Sequence, residues 1–142
     1  MKGLIFSIAI ALFSTAALAT DGAGLVKAGL EAYKAEGASA AIDVWLKGGG
    51  LEGSKAAISQ VGAFTQVESY YGRLEGYEIA RVHDISERSQ MILYVMHFHN
   101  GPAYGRFQAF KKSDGTWVAT EFKIHTEAAA VWPGKLVFGQ SM

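Results

Sequence analysis

Apolar positions recur at helical spacing in the first half of the chain and alternate with polar ones in the second. Leu25, Ala28, Gly29, Ala32 and Tyr33 form one stripe behind Thr20-Asp21, a pair able to cap a helix. The stripe predicts a helix to about Glu36, with Gly37 as its stop. Ser39 is read as the cap of a shorter helix carrying Ile42, Trp45 and Leu46, ended by Gly48-Gly49-Gly50. Ser54 opens a third helix, to about Tyr70, whose inner edge reads Ala57, Ile58, Val61, Phe64 or Thr65, and Glu68. The period then shortens to two. Strands are predicted over residues 76–85, 90–99, 102–112 and 116–125. The turns between them are Ser86-Glu87-Arg88-Ser89, Asn100-Gly101 and Asp114-Gly115, the second having the composition of a type I′ hairpin. The pattern predicts an α+β fold, with N-terminal helices packed on one face of a curved four-stranded antiparallel meander.

Turn lengths set the register, and the register sets the faces. A two-residue Asn100-Gly101 loop puts His97 opposite Tyr104 and Val95 opposite Arg106. Asp114-Gly115 puts Tyr104 opposite His125, Arg106 opposite Lys123 and Gln108 opposite Glu121. One face then carries Ile92, Tyr94, Met96, Phe98, Ala103, Gly105, Phe107, Ala109, Val118, Thr120, Phe122 and Ile124, and is expected to meet the helices. The other carries Leu93, Val95, His97, Tyr104, Arg106, Gln108, Phe110, Trp117, Glu121, Lys123 and His125. The first strand stays ambiguous. A four-residue turn places Tyr77, Ile79, Arg81, His83 and Ile85 on the apolar face, and a three- or five-residue turn places them on the other. Facing the helices, Arg81 and His83 would need polar company, because a lone buried charge is costly.

Residues 1–19 change the picture of where the chain works. Lys2, the apolar run from Leu4 to Ala17 and the small-x-small Ala17-Leu18-Ala19 read as a signal peptide cleaved before Thr20. Residues 20–142 are then one α+β domain, expected in the periplasm or secreted, with no membrane span after cleavage. The absence of cysteine excludes disulfides and thiolate chemistry. Lys+Arg and Asp+Glu balance at 13 each, which offers no case for nucleic acid. The 17 glycines set no repeat, and the triple glycine lacks the Lys-Ser/Thr of a phosphate loop.

Chemistry is sparse. His97-x-His99 sits on one side of a strand, but His125 lies two strands from His97, roughly 10 Å at strand spacing, too far for one tetrahedral ion. No metal and no cofactor is expected. No serine lies in a Gly-x-Ser-x-Gly elbow, so a nucleophilic triad has no support. Tyr71, Arg81, His83 and Tyr94 are the candidates for lining a pocket. On the mixed face His97, Tyr104, Arg106, Trp117, Glu121 and His125 are the candidates for recognition, and Trp117, Phe110 and Tyr104 together would form an apolar patch for a partner or a homodimer. Trp132 is read as tucking against the fold, and Leu136-Val137-Phe138 as a final strand or a docking tail.

Helices followed by a meander, with Gly101-Pro102-x-Tyr104-x-Arg106-Phe107 and Gly115-Thr116-Trp117, resemble the NTF2-like, ketosteroid-isomerase-like cone fold of small exported bacterial proteins. The resemblance implies a ligand held in the cone between helices and sheet, or pairing through the outer sheet face. The isomerase members' catalytic residues have no counterparts identified in this sequence. The expectation is a non-catalytic exported domain binding a small apolar ligand or an envelope protein. The alternative is a small cofactor-free enzyme, isomerase- or dehydratase-like, working in the cone.

Overall fold

The computed structural model describes residues 19–139. The segment read as a signal peptide lies, apart from Ala19, outside the described residues. Three helices come first: α1 (Gly22–Glu36), α2 (Ala38–Leu46) and α3 (Lys55–Tyr71). Four strands follow: β1 (Leu74–Ser86), β2 (Ser89–Phe98), β3 (Gly101–Lys111) and β4 (Trp117–His125). They form one antiparallel sheet in the order β1-β2-β3-β4. Two short helices, α4 (Ala128–Val131) and α5 (Gly134–Phe138), close the chain.

The helix boundaries follow the capping chemistry. The Asp21 carboxylate accepts the Gly24 N–H at 2.6 Å, and Ser54 Oγ accepts the Ala57 N–H at 3.1 Å. Gly37 and Gly72, at φ 97° and 80°, end α1 and α3 in backbone conformations that other residues rarely adopt. In α2, Gly37 rather than Ser39 occupies the cap position. In α3 the buried edge is Ala57, Phe64 and Val67, while Ile58 is exposed.

The core lies between the helices and one face of the sheet, centred on Trp45. Its ring is fully buried against Phe64, Tyr94, Phe107 and Phe122, at centroid distances of 5.2–6.2 Å. Its indole N–H donates to the Leu25 carbonyl at 3.1 Å, and Gly29 of α1 leaves the room that a Cβ would take from the ring. Tyr94, Phe64, Phe107, Leu30, Ile92 and Met96 are likewise fully buried. The space where a cone pocket was expected is filled by these side chains.

Register is where expectation and structure part. The β2–β3 turn is His99-Asn100, one residue earlier than expected, so Val95 faces Tyr104 and Leu93 faces Arg106. The two turn N–H groups donate to the carbonyls of Arg73 and Tyr71 at the exit of α3, which fixes the turn there. Among the described residues none other than glycine has positive φ, so the type I′ geometry is not formed. The slip is of two residues and leaves every side chain on its expected face. The β3–β4 register is as expected from Tyr104↔His125 to Gln108↔Glu121. There a bulge at Thr120 intervenes, and Ala109 then pairs with Ala119 and Lys111 with Trp117. Trp117, expected on the outer face, is turned to the helix side. It is buried and donates its indole N–H to the Thr20 carbonyl at 3.2 Å.

β1 shifts register against β2 at three points, between Leu74 and Gly76, between Ile79 and Arg81, and between Asp84 and Ser86. Tyr77 and Ile79 pair with Met96 and Tyr94 on the helix side. After the shift between Ile79 and Arg81, Arg81 pairs with Leu93 and His83 with Met91 on the outer side. The turn into β2 is Glu87-Arg88 alone, because Ser86 already pairs with Ser89.

Candidate functional site

The outer face of the sheet is neither bare nor flat. The chain leaves β4 and folds back as α4 and α5 across it. Trp132 anchors this return: its indole N–H donates to the Gly105 carbonyl at 2.9 Å and its ring meets Tyr104 edge-on at 5.2 Å. Val131 is buried beside it. Leu93 and Val95, which face away from the helices, are buried as well.

Between the returning segment and the sheet lies a cleft of about 770 Å³. Its floor is Met91 and Leu93 of β2 with Arg106 of β3. Arg81, Val82 and His83 form the β1 wall, and Ala130 to Pro133 with Lys135 and Leu136 form the other. Among the described residues no Asp or Glu lines it. Arg106 donates from Nη2 to Glu121 Oε1, a carboxylate that Lys123 also approaches at 3.5 Å. The Arg106 hydrogen bond, ahead of the neighbouring positive charges, holds the Glu121 carboxyl below its ordinary range although partial burial works the other way. Arg106 Nε is buried with no hydrogen-bond partner among the described residues. Arg81, His83 and Lys135 make no ion pair within 4.0 Å among those residues.

The four pocket candidates therefore do not converge. Arg81 and His83 reach the cleft because the Ala80 bulge turns them outward. Tyr94 is sealed in the core, where burial pushes its hydroxyl pKa up. Tyr71 packs its ring on Gly101 at the start of β3.

Of the sheet-face candidates, Arg106 lines the cleft, Tyr104 supports Trp132, and Glu121 holds Arg106. His97 is exposed with Glu78 at 3.6 Å, and His125 Nδ1 accepts the Glu127 N–H at 2.9 Å. His99 Nδ1 lies 2.7 Å from Glu75, and this contact holds the Glu75 carboxyl below its ordinary value. Each of the four histidines thus has separate surroundings. Among the described residues no three His, Cys, Asp or Glu side chains gather as a metal site. The expected patch of Trp117, Phe110 and Tyr104 is not assembled, since Trp117 is inside and Tyr104 lies against Trp132.

Sequence reasoning missed Met91, Leu93, Val131, Lys135 and Leu136 as lining residues. The available signal was Trp132-Pro133 behind Ala128-Ala129-Ala130-Val131, a short apolar helix with an aromatic anchor. No described helix is long and apolar enough to cross a membrane. No family model, curated protein or solved structure matches the chain, so the cleft itself carries the functional reading.

Proposed function

We propose that the chain is an exported, non-catalytic binding domain of NTF2-like build, and that it holds one small, largely apolar ligand in the cleft on the outer sheet face. The observation that carries this is the cleft itself. Its volume of about 770 Å³ is that of a small-molecule site, it is concave, and its floor and walls are mostly apolar with a few polar groups. The return of α4 and α5, pinned by Trp132, has a use on this reading: it makes a flat sheet face into a walled one. Export is supported by the Lys2, apolar-run and Ala17-Leu18-Ala19 pattern.

N-phenyl-1-naphthylamine, an uncharged dye that brightens in apolar sites, tests the reading. It is expected to bind the protein at one site. Ala130 is an exposed residue of the cleft wall, and Ala130→Trp would fill the space without touching the core. That variant is expected to lose the dye and keep its melting temperature. Undiminished dye binding by the variant would remove the cleft from the account.

A further inference from the structure

We infer that the cleft selects an amphipathic organic anion: one molecule with a hydrocarbon body and a single carboxylate or sulfonate end. This rests on the cleft being the ligand site and adds the class of ligand. Leu93, Met91, Val131 and Leu136 give the body its apolar surroundings. Arg81 and His83 on one wall face the cleft that Lys135 borders from the other, and none of these three has a carboxylate partner among the described residues.

On the same sheet face Arg106 and Lys123 both lie within 4.0 Å of Glu121. The cleft walls carry Arg81, His83 and Lys135 with no carboxylate among the lining residues. On the floor, Glu121 engages Arg106 Nη2, while the buried Nε is unpartnered among the described residues. A carboxylate offers two acceptor oxygens in the plane that a guanidinium matches, and it interacts more strongly over an apolar floor than in open water. An uncharged ligand would leave this set unmatched. One molecule is the occupant rather than a membrane surface, because α4 and α5 wall the cleft on one side and β1 walls it on the other.

The test compares two dyes with the same aromatic body, 1-anilinonaphthalene-8-sulfonate and uncharged N-phenyl-1-naphthylamine, on the exported form of the protein. The sulfonate is expected to bind about tenfold more tightly, the increment of one charge-assisted hydrogen bond. Decanoate is expected to displace it, and decanol to do so only weakly. Arg81 and Lys135 are exposed, so an Arg81→Gln, Lys135→Gln double variant is expected to keep its melting temperature and lose the preference for the anion while still binding the uncharged dye. Equal affinities, unchanged in the double variant, would overturn the anionic class and leave the cleft in place. Failure of both dyes would overturn the cleft and the class together. Sedimentation with phosphatidylglycerol vesicles, without sulfonate-dye binding, would assign the cations to a lipid surface and overturn the proposal.

Discussion

Tyr94 and Gly105 sit opposite each other on β2 and β3, and the absence of a side chain at Gly105 lets the Tyr94 ring lie flat over the sheet. The ring fills the core at the cost of a buried hydroxyl with no partner among the described residues. An unsatisfied polar group of this kind costs about 1–3 kcal/mol. Tyr94→Phe keeps the ring and removes the orphan, so it is expected to leave the melting temperature unchanged or raise it by a few degrees. A drop of several degrees would show that the hydroxyl has a partner.

Glu121 makes the complementary case. Its folded pKa lies below its unfolded value because Arg106 bonds the ionised form. The stability it contributes is complete above that unfolded value and is lost as the pH falls through the lower folded one. Urea midpoints measured from pH 5 down to pH 2 are expected to fall more steeply for the unaltered protein than for Glu121→Gln. Equal slopes would deny the pair its role. Tyr77, pushed up to about 12 by burial and then by its bond to Glu31, stays neutral through that range.

Register shifts, three along β1 and one at Thr120 of β4, decide what each face of the sheet presents. The Ala80 bulge gives the first half of β1 to the core and the second half, with Arg81 and His83, to the cleft. Deleting Ala80 joins Ile79 directly to Arg81 and keeps the pairings Ile79↔Tyr94 and Arg81↔Leu93, so Arg81 and His83 stay on the outer face. The deletion is expected to leave dye binding intact and to change the melting temperature by no more than a few degrees. Loss of dye binding would mean that these pairings do not position the wall.

Much of this level was legible in the chain. Asp21 and Ser54 announced their helices, Gly37 stopped the first, and Asp114-Gly115 set the β3–β4 register as far as Gln108↔Glu121. The β2–β3 turn was misplaced by one residue because α3 carbonyls, distant in sequence, hold His99 and Asn100. The shifts at Ala80, Ile85 and Thr120 have no glycine to mark them, and only the shift at Glu75 has one, Gly76, beside it. Trp117 was assigned to the wrong face for the same reason.

At the scale of the molecule the chain makes two layers and then a partial third. The helices and sheet share a filled core around Trp45, and residues 128–138 return over the opposite face. Half of the cleft comes from that return. Its two helices are four and five residues long, too short to leave a periodic signal. The sequence therefore pointed to Arg81, His83 and Arg106 without showing what they face.

The three tryptophans report on the three regions separately: Trp45 in the core, Trp117 under Thr20, and Trp132 at the cleft. Their indole N–H resonances in a ¹H–¹⁵N spectrum, assigned by single Trp→Phe variants, can be followed as decanoate is added. The cleft predicts that the Trp132 resonance moves and saturates while the Trp45 resonance stays in place. Movement of Trp45 with Trp132 unmoved would place the ligand between helices and sheet and contradict the account.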